Sequence, residues 1–190
     1  MADGGQGELW VVRHGATEWS AAGRHTSVTD LPLTPDGEAE ARAVAPRLAE
    51  VAFDLVLTSP RLRARTTARL AGFPDAVVDE DLAEWRYGDY EGLTTAQIRE
   101  QVPDWTVWRR PCPGGETADE VGARLDRVVA RAREDGGRVL AFGHGHALRV
   151  LAARWLGLPP QEGRLLVLGT GTLSSLGYEH GEPAVSRWNG

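Results

Sequence analysis

The sequence contains no lysine, and all 21 of its basic residues are arginines. We attribute this bias to codon composition. In such a chain a single arginine is weak support for phosphate binding, although the guanidinium group suits phosphate oxygens well. We therefore judge which arginines bind a ligand from their positions relative to the predicted strands and helices.

Cysteine, basic clusters and long apolar runs are also scarce. Cys112 is the sole cysteine and has no partner for an internal disulfide, which agrees with a reducing compartment. No apolar run reaches membrane-spanning length, and the N-terminal residues lack the basic segment of a secretory signal. The net charge of -6 includes no basic block. These absences predict a cytoplasmic protein that binds neither membrane nor nucleic acid.

Apolar runs and breaker residues predict alternating strands and helices in one domain, residues 1–190. Strands are expected at residues 9–13, 53–58, 76–78, 139–142, 165–167 and 173–178. Helices are expected at 35–51, 61–70, 94–102, 117–135 and 147–156, the first kinked or broken at Pro46. Residues 17–30 and 84–92 are predicted loops. The alternation predicts an α/β fold, a three-layer α/β/α sandwich whose helices cover a mostly parallel sheet.

The first predicted strand ends in Arg13-His14-Gly15, at the sheet edge where open α/β folds bind ligands. Arginine offers a bidentate fork for phosphate oxygens, and a neutral imidazole nitrogen can attack phosphorus. Gly15 would let the main chain pass close to the ligand. The triplet indicates a phosphoryl site, although a hydrogen-bonded histidine at a strand end explains it equally well.

Similar groups follow other predicted strands. The strand at 139–142 runs into Gly143-His144-Gly145-His146, which brings a second glycine-flanked histidine to the same edge. Arg63 follows the strand at 53–58, and Glu84 opens a polar, glycine-rich loop. Taken singly, Arg63 and Glu84 are typical of solvated surface residues. Two such histidines at one edge are hard to explain by packing, so the four groups together indicate a site.

Rival chemistries lack the residues that they need. A cysteine phosphatase requires an arginine six positions after its cysteine, where this chain has Ala118. The spacing of His144 and His146 matches a metal-binding His-x-His, but no Asp-His follows, so we predict no metal site. The chain also lacks a P-loop and a Gly-x-Ser-x-Gly elbow, which disfavours nucleotide hydrolysis and serine hydrolase chemistry.

Taken in order, these motifs resemble those of the histidine phosphatase superfamily, which has a phosphoglycerate mutase-like fold. The resemblance covers nearly the whole chain: residues 13–19, Thr58-Ser59-Pro60 with Arg63-Ala64, Glu84 with Tyr87-Gly88, residues 114–117, and His144-Gly145. It implies that His14 is the nucleophile, that Glu84 is the proton donor, and that the phosphate pocket is formed by Arg13, Arg63 and His144. It implies no cofactor.

Within the superfamily, the chain looks most like broad-specificity acid phosphatases and sedoheptulose-1,7-bisphosphatases. Cofactor-dependent mutases carry asparagine where Ser20 and His146 stand and lysine near Thr95, whereas Trp108-Arg109-Arg110 resembles a mutase substrate clamp. We therefore expect a metal-independent phosphomonoester hydrolase that forms a phosphohistidine and acts on sugar phosphates or other small phosphate esters. A cofactor-dependent phosphoglycerate mutase and a non-catalytic phospho-ligand sensor are the alternatives.

The mouth of the expected site would be formed by residues 17–26, which include Trp19 and His25, and by residues 87–90. Trp85, Trp105 and Trp108 either wall this pocket or pack in the core. The sequence leaves open the sign of the pKa shift of His14, because neighbouring cations and a bound dianion act in opposite directions. A homodimer is compatible with the sequence. Substrate contacts are expected from Thr17, Ser20, His25, Thr26, Tyr87, Gly145 and His146.

Overall fold

The structure is a computed structural model that describes residues 7–134 and 136–190. Its strands and helices alternate over most of the chain, as the apolar pattern predicts. Within the described residues the strands are β1 (Glu8–Arg13), β2 (Leu55–Thr58), β3 (Val77–Val78), β4 (Arg138–Gly143), β5 (Leu173–Glu179) and β6 (Glu182–Arg187).

The helices occupy most of the predicted positions. They are α1 (Glu18–Ala21), α2 (Pro35–Ala43), α3 (Ala45–Ala49), α4 (Leu62–Leu70), α5 (Thr95–Gln101), α6 (Ala118–Glu134) and α7 (Gly145–Trp155). Short 3-10 turns cover Glu80–Leu82, Gly88–Tyr90 and Pro160–Leu165. In the described ranges, no helix is long and apolar enough to cross a membrane.

The strands form one mixed sheet in the order β3-β2-β4-β1-β5-β6. The first four of these run parallel, whereas β5 and β6 are antiparallel to their neighbours. Alternate residues of a strand point to opposite faces. Accordingly Val11 packs in the cluster that contains α6 and α7, and Val12 packs in the cluster that contains residues of α3 and α4. Helices thus cover both faces, which confirms the predicted α/β fold.

The register of the parallel strands brings the predicted site residues to one edge. Arg13 of β1 pairs with Gly143 of β4, so His14 and His144 leave neighbouring strands at the same level. The backbone N–H of His14 donates to the Gly143 carbonyl at 3.0 Å, and that of Ser59 donates to the Phe142 carbonyl at 2.9 Å. The carboxyl ends of β1, β2 and β4 therefore meet around one point.

The predicted first helix breaks into α2 and α3 at Val44, as Pro46 indicated. The structure corrects other boundaries. Residues 165–167 are not a strand, because Pro159 and Pro160 start a 3-10 turn there. The last strand is instead β6, which the apolar pattern did not predict. It is an edge strand, and it is polar and only partly buried. Such a strand has little apolar periodicity from which it could be recognised. The predicted loop 17–30 contains helix α1.

Candidate active site

A cavity of about 220 Å³ opens above the carboxyl ends of β1 and β4. It contains most of the residues that the sequence singled out, drawn from distant parts of the chain. The predicted residues that line it are Arg13, His14, Ser20, His25, Thr26, Glu84, Tyr87, Gly145 and His146. Arg63, His144 and Thr17 are fully buried and are not among its lining residues.

His14 lies at the bottom of this cavity and is 5% exposed. Its Nδ1 is 2.8 Å from the carbonyl oxygen of Gly15. A carbonyl oxygen can only accept, so Nδ1 carries the ring proton and Nε2 is left with a free lone pair. Burial, and then the positive charges of Arg63 and Arg13, hold the pKa of His14 well below its ordinary value. The imidazole is therefore neutral at neutral pH, as a nucleophile requires.

Gly15 has a different role from the predicted one. A side chain there would meet the helix α2 rather than a ligand, because its Cβ would stand 2.0 Å from the carbonyl oxygen of Gly37. The backbone N–H of Gly15 donates to the hydroxyl of Thr67 at 3.1 Å. That hydroxyl in turn donates to the carbonyl of Arg63 at 2.7 Å. The absence of a side chain at Gly15 therefore lets the segment after β1 pack tightly against α2. The backbone N–H of Gly15 links the same segment, next to His14, to α4.

The guanidinium group of Arg63 lies beside His14 and is fully buried. Its terminal nitrogens donate to three backbone carbonyls, those of Thr26 at 3.0 Å, Thr29 at 3.1 Å and Ser27 at 3.2 Å. Burial lowers its pKa from the ordinary arginine value. No carboxylate of the described residues lies within 4.0 Å of it. Arg63 thus brings an uncompensated positive charge to His14.

Arg13 supplies a second cation at the end of β1. One terminal nitrogen donates to the carbonyl of Leu168, and the side chain is only partly buried. Burial lowers its pKa, while Glu84 acts in the opposite direction. Two guanidinium groups therefore flank the histidine, each held by backbone carbonyls rather than by an ion pair.

His144 completes this group and is fully buried, with its ring centroid 5.1 Å from that of His14. Its Nε2 is 2.6 Å from the hydroxyl oxygen of Ser59, a residue that the sequence analysis included only in a motif. Burial, reinforced by Arg63, holds the pKa of His144 well below the ordinary value. A second neutral imidazole therefore faces the first.

Several buried nitrogens around His14 have no hydrogen-bond partner among the described residues. They are Nε of Arg13, Nε of Arg63 and Nδ1 of His144. An unsatisfied buried polar group costs about 1–3 kcal/mol. Such groups are tolerated where a ligand completes them. An anion with several acceptor oxygens would satisfy these nitrogens together, and a phosphoryl group has that form.

Glu84 places a carboxylate on the cavity wall and is 5% exposed. One oxygen accepts from the backbone N–H groups of Ala147 and Trp85, both at 2.9 Å. The other accepts from the N–H of His146 at 3.1 Å. Three backbone N–H groups therefore hold the carboxyl group of Glu84 at the N-terminus of α7.

A second wall of the cavity consists of uncharged rings. His25 Nδ1 donates to the carbonyl of Leu93 at 2.8 Å, which leaves Nε2 as an acceptor. The Tyr87 hydroxyl lies 2.6 Å from Nδ1 of His146. Burial raises the pKa of Tyr87 well above its ordinary value and lowers those of both histidines. We call His25, Tyr87 and His146 the neutral wall.

Two arginines that the sequence analysis missed lie on the rim of the cavity, Arg24 and Arg149. The guanidinium of Arg149 stacks on Trp108 at 4.7 Å and donates to the carbonyl of Gly163 at 3.0 Å. That of Arg24 lies 5.8 Å from the ring centroid of Trp19. Arg149 could have been found from its spacing, because it follows Gly145 by four residues and so shares its face of α7.

The structure corrects one expectation at this site and decides other points that the sequence left open. Thr17 does not line the cavity: it is fully buried, and its hydroxyl accepts from the backbone N–H of Ser20 as the N-cap of α1. Trp85 and Trp105 are core residues. Arg109 and Arg110 line a separate depression beside the start of α6, so the resemblance to a mutase clamp does not extend to their position. Within the described parts of the chain, no three metal-ligating side chains cluster.

Comparison with known proteins places this geometry in a family. Residues 9–190 match the sequence profile of the histidine phosphatase superfamily, branch 1. An acid phosphatase of Mycobacterium tuberculosis is 45% identical over 91% of this chain and 87% of its own. The sedoheptulose 1,7-bisphosphatase of Saccharomyces cerevisiae is 41% identical over 80% of this chain and 68% of its own.

A solved structure has the same architecture. The product of the open reading frame Rv3214 from Mycobacterium tuberculosis superposes with a TM-score of 0.92 at 42% identity, covering 96% of this chain and 97% of that one. The fold therefore defines an α/β enzyme of the phosphoglycerate mutase-like class. The chain belongs to the histidine phosphatase superfamily, branch 1, and this membership supports hydrolysis of phosphate esters.

Proposed function

We propose that the protein is a phosphomonoester hydrolase in which His14 carries the phosphoryl group as a covalent intermediate. The observation that carries this proposal is the hydrogen bond from His14 Nδ1 to the Gly15 carbonyl, since it leaves Nε2 free in a buried, neutral ring. Unpartnered nitrogens of Arg13, Arg63 and His144 surround that ring. A nucleophile therefore lies beside the N–H groups that would bind the oxygens of the phosphoryl group it attacks.

In the first step, His14 Nε2 attacks phosphorus, and the bond between phosphorus and the ester oxygen breaks. Arg13 and Arg63 stabilise the charge on the phosphoryl oxygens and hold the group in line with Nε2. Protonated Glu84 gives its proton to the departing oxygen, which leaves as an alcohol.

In the second step, water replaces the alcohol. Glu84, now a carboxylate, accepts a proton from the water as its oxygen attacks phosphorus. The phosphorus–nitrogen bond breaks and its electron pair returns to Nε2, so His14 is again neutral and inorganic phosphate is released. The positive charge that stabilises both steps comes from guanidinium groups, and we therefore propose that no metal takes part.

For the substrate we propose sugar phosphates and other small phosphate esters. The neutral wall offers an acceptor at His25 and a hydrogen-bonded imidazole at His146, which suits hydroxyl groups. A volume of about 220 Å³ admits only a small molecule. The name of the yeast relative, a sedoheptulose 1,7-bisphosphatase, agrees with this class.

The alternatives have less support. A phosphoglycerate mutase would use the clamp that Arg109 and Arg110 resemble, but these residues lie in a different depression. A non-catalytic sensor has little need of a buried carboxylate such as Glu84 in the cavity. The cytoplasmic location and a homodimer stay predictions from sequence.

The experiment is a measurement of phosphate release, with a chelator present, from a panel of sugar phosphates, phosphoglycerates and nitrophenyl phosphate. We expect release by the wild type and loss of about 10⁴-fold or more in His14→Ala. Circular dichroism of both proteins controls for folding. Equal release by a folded His14→Ala variant would contradict the proposal, and transfer between phosphoglycerates without hydrolysis would favour the mutase.

A further inference from the structure

The geometry points to Ser59 as a positioning residue that holds His144 in the tautomer with its proton on Nδ1. This inference rests on the proposed function, because it assigns to His144 the task of donating to a phosphoryl oxygen. Ser59 follows the strand β2 and His144 follows β4, so the neighbouring strands bring the two side chains together. Both side chains are fully buried.

The direction of the Ser59–His144 hydrogen bond follows from the partners of the hydroxyl. The Ser59 oxygen is within hydrogen-bond distance of two groups, Nε2 of His144 at 2.6 Å and the backbone N–H of Arg61 at 3.3 Å. The N–H can only donate, so it takes an acceptor position on the oxygen. The oxygen keeps a second lone pair, so this contact alone would also let Nε2 donate. If Nε2 donated, however, the buried hydroxyl proton would have no acceptor among the described residues. Nε2 is therefore the acceptor for the hydroxyl proton. A ring that accepts at Nε2 carries its own proton on Nδ1.

The tautomer matters because His144 is neutral. An imidazolium would have donors at both nitrogens, whereas a neutral ring has one donor and one acceptor. Nδ1 of His144 is buried without a partner in the described structure, among groups that include Arg63, His14 and Arg13. With its proton on Nδ1 the ring offers a donor to a phosphoryl oxygen. In the other tautomer a lone pair would oppose the lone pairs of that oxygen.

Loss of the Ser59 hydroxyl therefore has a specific consequence. The proton of His144 would no longer be confined to Nδ1, and the ring would lose the contact that fixes its orientation. His14 keeps its own hydrogen bond to the Gly15 carbonyl and would remain a competent nucleophile. We expect a slower reaction and weaker binding of phosphate, with the covalent route intact.

The test compares Ser59→Ala with Ser59→Thr, which retains a hydroxyl, and with Ser174→Ala as a matched control. Ser174 is also fully buried in the sheet, and its hydroxyl accepts from the backbone N–H of Asn189. The first readout is nitrogen NMR of protein labelled at histidine, which shows directly which ring nitrogen of His144 bears the proton. The second is kcat with nitrophenyl phosphate, and the third is the Kd of inorganic phosphate.

In the wild type we expect the His144 proton on Nδ1. In Ser59→Ala we expect a mixture of tautomers, a kcat lower by about 10²-fold and phosphate binding weaker by about 10-fold. Ser59→Thr should restore most of each loss, and Ser174→Ala should leave all three readouts near the wild-type values. If the threonine methyl group prevents Ser59→Thr from folding, the NMR measurement of the His144 tautomer in Ser59→Ala is sufficient to test the inference.

A wild-type proton on Nε2, or an unchanged tautomer in a folded Ser59→Ala variant, would overturn the inference. Neither result contradicts the proposed function, because that proposal is tested by phosphate release from the wild type. Conversely, a wild type without phosphatase activity would defeat the proposed function, and the NMR spectra would still show whether Ser59 fixes the tautomer.

Discussion

The phosphate pocket and the neutral wall meet at one cavity but are built in different ways. The pocket groups, Arg13, His14, Arg63 and His144, lie at or just beyond strand ends that the sheet register aligns. The wall residues come from connecting segments and from the start of α7, and their rings pack against one another. Buried nitrogens in the pocket lack partners, whereas in the wall Nδ1 of His25 and Nδ1 of His146 both have hydrogen-bond partners. The pocket thus suits the negatively charged phosphoryl group, and the wall suits an uncharged portion of the substrate.

After His14→Ala, the largest effect should come from another change in the pocket, Arg63→Lys. Lysine keeps the charge, but its three N–H donors cannot hold three carbonyls and also donate to phosphate, whereas the five of arginine can. We expect kcat/KM to fall by about 10³-fold for every substrate. Steady-state kinetics with Arg65→Lys, an exposed position on the same helix, provides the matched control. A loss of less than tenfold would show that Arg63 positions the loop but does not stabilise the reaction.

Glu84→Gln should separate substrates by their leaving groups. The amide cannot donate a carboxylic proton, but its oxygen can still accept from the N–H of Ala147 or Trp85. For sugar phosphates, whose alkoxide leaves poorly, we expect the phosphorylation rate to fall by about 10²-fold. For nitrophenyl phosphate the rapid first turnover should change little. Equal slowing of both in pre-steady-state kinetics would argue against the acid role.

Acid should destabilise the protein through both regions, because each holds buried neutral histidines. The pKa values of His14, His144, His25 and His146 are lowered by burial, so below the unfolded value of about 6.5 the unfolded chain binds more protons. The stability that depends on neutral burial is present above that value and is lost as pH falls, by at most about 1.4 kcal/mol per pH unit for each such histidine.

Urea titrations between pH 7 and 5 measure this slope. We expect a smaller slope in His25→Asn, which removes one titrating group of the wall, and no change in His180→Asn, which removes an exposed histidine. An identical slope in His25→Asn and the wild type would mean that burial does not keep the wall neutral.

The smallest effect should come from the rim. Arg149 has no carboxylate within 4.0 Å among the residues described, so it is free to attract a second anionic group on the substrate. We expect Arg149→Ala to raise KM by about tenfold for a sugar bisphosphate and to leave nitrophenyl phosphate almost unchanged. Arg109→Ala, in the separate depression, is the control. A uniform rise for all substrates would assign Arg149 to structure instead.

The same contrast explains what sequence reasoning could reach. Strand ends are visible as apolar runs that stop at polar residues, so His14, Arg63 and His144 could be assigned to one edge before the structure was known. Glu84 was visible from the motif, but its place at the N-terminus of α7 depends on a tertiary contact. No local pattern contains such contacts.

The wall was harder for the same reason. His25, Tyr87 and His146 were expected to contact substrate, but their hydrogen bonds to Leu93 and to one another join segments far apart in the chain. Thr17 was misassigned because a helix N-cap and a ligand contact use the same side-chain oxygen. The strand β6 was missed because an edge strand needs no apolar face.

The central claim is that phosphate passes through His14, and trapping the intermediate tests it most directly. Glu84→Gln should form the intermediate from nitrophenyl phosphate and hydrolyse it slowly, because the base for water is lost. After a rapid alkaline quench, mass spectrometry should find one phosphoryl group on the peptide that contains His14, and none in Glu84→Gln combined with His14→Ala. Release of phosphate with His14 unmodified at every time point, or a phosphoryl group on another residue, would contradict the account.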